Sequence, residues 1–599
     1  MILAGIFNKS KNDTFAKLVA LTKKYIKKES TFFENDLVSV VMGKTSDTVC
    51  QGALLKSTDS VLIGKVFRKD NYKSITKKEL AQQSKEPNKS FVNKYWGNYL
   101  LINTDIKNKT VRILRDPVGQ LPLFYTKLES GDVLFSSNIE ILYRMTHTKQ
   151  GFNWRYLSAY LVHGAFATDQ TAFNDIYELP HGCELFIGGV NNFISQFAVW
   201  NPLDYCKPYK KEQFQKNIIE TMTNVIKSWT KNTEGALLEF SGGTDSTGLL
   251  FLLNKVLDKH QVLKPINGFH PKIASSDERK YALAATNEIG IELIEYDTSN
   301  CLPLDPIFKK KDIKPNWPTN NLISLKAQNI FNLFSKNYKN ITHMSGHGGD
   351  HVFMCPTPRE SLCDYLIEKG IKGFGKKLKD ISIMFRQPLF PIIKDIVKGF
   401  FCHYFYPAHT RLLLLSKNNK APWFSRDIFK LKKHVSIHPI FYCEKFIKVP
   451  PGKLKHIYNI YKGLATIKAK ARDKNTNPVF YPFFTQPMLE LVLSMPTYAS
   501  FHDGYNRYPF RKAISDAFKT NTVWRKDKGE TSGVMQKAIK KNEDYVLDLC
   551  LKGKAAQMDI IDKTLAHKDI QRLMYGKAEH QWPITNLLNL EIFLNYWDN

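Results

Sequence analysis

Two short stretches in the middle of the chain carry residue types that can do chemistry. The first, Ser241-Gly242-Gly243-Thr244-Asp245-Ser246, holds paired glycines, two serine hydroxyls and a carboxylate. Paired glycines let a backbone turn tightly enough for its N–H groups to point at an oxyanion. Ser241 and Ser246 add hydroxyl donors, and Asp245 is a hard oxygen ligand of the kind magnesium takes. No Gly-Lys-Ser/Thr follows, so this is not a Walker loop. The second stretch, Ser345-Gly346-His347-Gly348-Gly349-Asp350-His351, is glycine-rich again and ends on another aspartate. His347 within it suits general-base work near neutral pH, its ordinary pKa lying near 6.5. A hydrogen-bonding or purely structural role is the alternative for a single histidine.

The flanking residues say what must position these loops. Leu237-Leu238-Glu239-Phe240 reads as a buried strand, and Leu249, Leu250, Leu253 and Leu257 fall at helical spacing over 247–257. A strand, a glycine turn and a helix N-terminus together make an anion site. Pro265–Phe269 reads as a second strand, Glu278–Ile289 as a helix, Ile291–Ile294 as a third strand and Ile341–Met344 as a fourth. Such alternation predicts a doubly wound parallel sheet whose strand ends converge on one crevice. That convergence brings Asp350 close to Asp245 as a second carboxylate for Mg2+. Before residue 206 the chain is β-rich, with apolar runs at Val38–Met42, Val61–Ile63, Tyr99–Ile102, Val111–Leu114 and Val133–Phe135. From Cys206 to Trp229 a stripe of Phe214, Ile218, Ile219, Met222 and Val225 predicts a helix, and from Phe353 onward the chain is mainly helical. Two domains, 1–205 and 206–599, follow from this division.

Composition narrows the function classes. A net charge of +30 invites nucleic-acid binding, but the lysines are spread along the chain without a helix-turn-helix, RNP or zinc-finger pattern, so no nucleic acid is expected. Nine cysteines without a Cys-x-x-Cys pair argue against a zinc ribbon or a disulfide framework and point to a reduced cytoplasm. No apolar run approaches the roughly 20 residues of a membrane span, and the opening Ile2–Phe7 lacks the marks of a signal peptide.

The first loop resembles the pyrophosphate loop of ATP pyrophosphatases, which release AMP and pyrophosphate while adenylating a substrate. Paired with the second loop it is similar to the asparagine synthetase superfamily. Arg115-Asp116-Pro117-Val118-Gly119, Phe135-Ser136-Ser137 and Glu178-Leu179-Pro180-His181-Gly182 look like that superfamily's amidotransferase landmarks. The implied fold is an N-terminal αββα domain of the Ntn-hydrolase type, then a doubly wound α/β synthetase domain with a helical C-terminal part. Two departures matter. Ala4, in Ala4-Gly5-Ile6-Phe7, stands where the family has its cysteine nucleophile, and Gly64-Lys65-Val66-Phe67 stands near its Asn-Gly-Glu glutamine clamp. Alanine has no thiolate, so a degenerate glutaminase is expected. With His347, the segments Asn506-Arg507-Tyr508-Pro509-Phe510-Arg511 and Trp524-Arg525-Lys526-Asp527-Lys528-Gly529 resemble lasso-peptide cyclases. Those are macrolactam synthetases that adenylate an Asp or Glu side chain of a ribosomal core peptide and close a ring with its N-terminal amine.

The resemblance implies ATP and Mg2+ as cofactors. The pyrophosphate is expected on Ser241, Gly242, Gly243 and Ser246, the metal between Asp245 and Asp350, and the adenine against Leu238 and Gly268-Phe269. Gly346 is counted with the nucleotide site. His347 is the candidate base, and the family's catalytic lysine maps to Lys528 first and Lys526 second. Arg507 and Arg511 are read as binding peptide carboxylates or phosphate, or as a structural ion pair. A precursor peptide is the expected substrate partner, with a leader peptidase and an ABC exporter alongside and membrane association only through them. An amide synthetase acting on a small acid, and a scaffold with a vestigial nucleotide site, are the competing readings.

Overall fold

The computed structural model describes the chain except residues 1, 8–12, 27–30, 44–52, 84–85, 147–150, 189–192, 208, 306–313, 320–321, 325–329, 416–420, 433–434, 469–477, 527–528, 530–531, 578 and 599. Its N-terminal part holds β1 (Ile2–Phe7), β2 (Thr31–Glu34), β3 (Val38–Gly43), β4 (Ala53–Lys56), β5 (Ser60–Arg68) and β6 (Tyr95–Asp105). There follow β7 (Thr110–Arg115), β8 (Phe124–Lys127), β9 (Val133–Ser136), β10 (Tyr177–Glu178), β11 (Cys183–Gly188) and β12 (Phe193–Ala198). They form two antiparallel sheets, ordered β10-β8-β9-β1-β3-β2 and β12-β11-β7-β6-β5-β4.

Period-two alternation stacks these sheets. Leu3 and Phe7 of β1, Val38 and Val40 of β3, and Leu100 and Ile102 of β6 share one apolar core between the sheets. Ala4 and Ile6 face the other way, into a core shared with the helices Asp13–Lys23, Ile139–Met145 and Trp154–His163. Tyr99 and Leu101 of β6 turn outward into a third core, built with Phe214, Met222 and Val225 of the helix Lys211–Thr230. Helix, sheet, sheet and helix are therefore layered in that order.

The second part carries β13 (Gly235–Glu239), β14 (Val262–Phe269), β15 (Ile294–Asp297), β16 (Thr342–Ser345) and β17 (Val479–Phe480). All pair in parallel, in the order β15-β14-β13-β16-β17. The chain runs outward from β13 to β15 and then crosses back to β16 on the other flank of β13. That reversal makes the carboxyl ends of β13 and β16 the switch point at which such sheets open a crevice. The third strand begins at Ile294 rather than Ile291, and the helix after the first loop begins at Thr244 rather than Thr247.

A buried polar cluster pins the two parts together. Arg115 Nη1 and Lys468 Nζ each donate to Glu178 at 2.8 Å, and Trp317 Nε1 donates to the same carboxylate at 2.9 Å. Burial works against the Glu178 charge, but the two cations outweigh it and hold the carboxyl below its ordinary pKa.

Candidate active site

Because the helix Thr244–Val256 starts at Thr244, residues Thr244, Asp245 and Ser246 form its first turn. Their N–H groups lie among the unpaired donors of a helix N-terminus. Gly242 makes the turn at φ +69°, and a Cβ on it would stand 2.6 Å from the Ala282 nitrogen. Ser241 Oγ accepts from the Gly243 N–H at 3.2 Å and lies 3.2 Å from Ser246 Oγ. The turn is thus pre-shaped by its own hydroxyls.

The second loop presses directly on the first. A Cβ on Gly346 would come within 2.9 Å of the Ser246 nitrogen, and one on Gly349 within 2.3 Å of the Asp245 carboxyl carbon. Gly348 sits at φ +111° with the Phe484 ring 2.8 Å from its Cβ direction. These glycines are spaced by the need for close backbone approach.

The two carboxylates meet on one cation. Arg507 Nη1 donates to Asp245 Oδ2 and to Asp350 Oδ1, each at 2.7 Å. Burial opposes the Arg507 charge, yet Asp245 and Asp350 overcome it and keep the guanidinium pKa above its ordinary value. Arg511 next to it is lowered to about 10, by burial first and then by the Arg507 charge. A point where two carboxylates converge on a positive charge fits Mg2+, which takes one or two carboxylates together with substrate phosphates and water. Among the described residues no group of three or more His, Cys, Asp or Glu could hold a metal. If magnesium binds here, Asp245 and Asp350 are the residues that would hold it.

A cavity of about 510 Å3 opens over these groups. Ser241, Gly243, Asp245, Ser246, Gly268, Gly346, His347, Asp350 and Lys526 line it. Gly242 shapes the loop from behind without lining the cavity. Leu238 requires a correction: it is fully buried in the apolar core, set back along the strand from the carboxyl end where the cavity opens, and Glu239 and Phe240 form that wall instead. Phe269 is also outside the lining, its ring lying 3.6 Å beneath the Arg279 guanidinium. Lys528 lies outside the described residues.

His347 is half-buried, and its ring stands edge-on to those of Tyr481 and Phe484, with centroids 6.0 Å away in both cases. Its backbone N–H donates to Ser345 Oγ at 3.3 Å. Lys526 Nζ lies 4.7 Å from the Tyr505 ring. Arg525, Glu278, Asn267 and Phe331 belong to the same wall and were not singled out from the sequence. Arg525 donates to the Gly242 carbonyl at 2.9 Å and to the Glu278 carboxylate, and lies 3.8 Å over the Tyr281 ring. It clamps the first loop, and its place beside Trp524 and Lys526 was the available signal.

The amidotransferase-like half is different. Ala4 lies inside β1, paired with Val41 on one side and Ser136 on the other, and is fully buried. Gly64 adopts φ +119° within β5, and Lys65 Nζ lies 4.9 Å over the Trp229 ring of the helix Lys211–Thr230.

An asparagine synthase family model matches residues 230–369 and 455–599, and a glutamine amidotransferase domain model matches residues 70–197. Together they cover more than half of the chain. Residues 230–369 and 455–599 are thus of the asparagine synthase family, and residues 70–197 are of the glutamine amidotransferase domain family. The fold of the chain is an Ntn-type amidotransferase domain followed by a pyrophosphate-loop synthetase domain with a helical C-terminal region. The asparagine synthase family is one of ATP-dependent, amide-forming carbon–nitrogen ligases, and this chain is an enzyme of that class. The amidotransferase match begins after both Ala4 and the Gly64 segment.

Similar solved structures include the allosteric regulatory enzyme of purine biosynthesis, at 10% identity over 52% of this chain and 83% of that one, with a TM-score of 0.22. The U34-tRNA thiolase NcsA from Methanococcus maripaludis is 20% identical over 43% of this chain and 80% of that one, with a TM-score of 0.21. Glutamine phosphoribosylpyrophosphate amidotransferase from B. subtilis is 10% identical over 59% of this chain and 77% of that one, with a TM-score of 0.22. No curated protein matches.

Proposed function

We propose that this enzyme is an AMP-forming macrolactam synthetase acting on a ribosomal core peptide. The observation that carries the reading is a contrast between its halves. The synthetase crevice brings its phosphate loop, both carboxylates and His347 together, while the strand that would bear the glutaminase nucleophile presents a buried alanine. The amine must then come from something other than glutamine, and a peptide that carries its own N-terminal amine supplies it.

An Asp or Glu side-chain carboxylate attacks the α-phosphate of ATP and pyrophosphate leaves, held by the first loop. The peptide amine attacks the acyl carbon, a C–N bond forms, the C–O bond to AMP breaks, and one proton leaves the amine. His347 is the cavity group suited to take that proton. Lys526 lines the same cavity and is the lysine that would meet developing negative charge. Magnesium held by Asp245 and Asp350 would neutralise phosphate charge. A leader peptidase and an exporter are the partners this substrate requires.

Incubation with ATP and a leader-cleaved core peptide, followed by mass spectrometry, tests the reading. Loss of one water from the peptide with stoichiometric AMP release is expected. Turnover of free aspartate and ammonia, with every peptide left unchanged, would replace it with a small-acid amide synthetase.

A further inference from the structure

The helix Leu389–Phe405 carries an apolar face that nothing covers among the described residues. Phe390, Ile393, Val397, Phe401, Tyr404 and Phe405 recur at helical spacing along it. Phe390 is 78% exposed, Tyr404 71% and Phe405 69%. The opposite face is anchored: Ile392 and Ile396 join a core with Leu362, Ile381 and Phe501, and a Cβ on Gly399 would stand 2.9 Å from Cys363 Sγ. The helix is therefore fixed in place with its second apolar face directed to solvent. A patch of this kind marks a site of contact rather than chance exposure.

Charge says what it contacts. Residues 367–406 hold eight Lys and Arg against three Asp and Glu. The acids are largely spent internally: Asp380 is buried, Asp395 pairs with Arg359, and Glu368 accepts from Tyr498 Oη at 2.8 Å. Lys394 and Lys398 are exposed on the same helix as the patch, and Lys372 and Lys376 are exposed in the segment before it. Protein interfaces are depleted of lysine at their cores, whereas an aromatic face edged with lysine suits the headgroup boundary of a bilayer. The face belongs to a single helix. No helix of the described residues is long and apolar enough to cross a membrane. We infer that this helix seats the enzyme directly on an anionic lipid surface, lying in the interface plane.

Sedimentation of the full chain with sucrose-loaded vesicles tests this. The protein is expected to pellet with vesicles of phosphatidylcholine mixed with phosphatidylglycerol, and at least tenfold less with phosphatidylcholine alone. Val397→Asp with Phe401→Asp should abolish pelleting without lowering the thermal melting point, since both side chains are exposed. Lys372→Gln with Lys394→Gln, which leaves the apolar face intact, should weaken binding roughly fivefold per lysine removed. Failure of the unaltered chain to pellet with anionic vesicles overturns the inference, as does equal pelleting of the Val397 and Phe401 variant. So does a dimer, seen by gel filtration and lost in that variant, because a second copy would then be what covers the face.

Discussion

At the scale of single residues the site is an arrangement of charges held apart by glycines. Asp245→Asn or Asp350→Asn removes one of two charges that share Arg507, and ATP–pyrophosphate exchange should fall roughly a hundredfold or more. An exchange rate within a few fold of the unaltered enzyme would remove these residues from the nucleotide site. Gly349→Ala puts a methyl group where the Asp245 carboxyl stands, 2.3 Å away, so exchange should drop by about a hundredfold from misplacement alone. Circular dichroism should show the fold retained. His347→Ala should slow amide formation by roughly a hundredfold or more while adenylation, trapped with hydroxylamine, continues. Equal loss of both steps would exclude the base role. That Ser241, Asp245 and Asp350 meet in one crevice was readable from residue type and spacing. Arg507 was readable only as one of several options, because its partners are 262 and 157 residues away.

Among the elements, the phosphate helix is held as tightly as its loop. Gly248 lies in the helix Thr244–Val256 under the helix Tyr508–Phe518, and a Cβ on it would be 2.4 Å from the buried Phe510 ring. Gly248→Ala should overpack this crossing and cost about 1–3 kcal/mol in urea unfolding. A neutral or stabilising effect would show that the crossing is loose. The alternation of strand and helix gave the parallel sheet because apolar periodicity reports burial directly. It misplaced the start of this helix because Thr244, Asp245 and Ser246 are polar residues in a helical first turn, where patterning is silent. Leu238 shows the converse limit. A continuous apolar strand does not say where along it the crevice opens, and here the cavity is met only at the carboxyl end, by Glu239 and Phe240.

Across the whole molecule, burial sets an acid limit on stability. His163, His438 and His456 are lowered to about 3, and His181 well below its ordinary value, all chiefly by burial. Each is neutral in the fold and binds a proton in the unfolded chain below pH ~6.5, so each favours the fold above that pH and withdraws support as pH falls. Asp116 and Asp364, raised to about 6, and Glu591, raised to about 7, act in the opposite sense. On balance stability should decline below pH ~6, with a slope near 1.4 kcal/mol per pH unit for one net proton. His438→Asn, which cannot titrate, should remove about one proton's worth of that slope in unfolding curves taken between pH 4.5 and 6.5. An unchanged slope would mean that His438 is protonated or exposed in the native state. The His181–His438 pair was hidden in the sequence, since the two meet only across the seam, where His438 Nε2 donates to the His181 carbonyl at 2.9 Å.

That seam also bears on how the chain is made. Glu178 is synthesised with Arg115 already behind it, but Lys468, its second cation, lies 290 residues further on. At roughly 5–20 residues per second the ribosome needs some tens of seconds to supply it. During that interval the amidotransferase-like half has emerged with Glu178 still lacking its second cation. The sheets can form early, but their final fit waits on the synthetase half, and chaperone occupancy of nascent chains should persist until the helix that ends at Lys468 has left the exit tunnel.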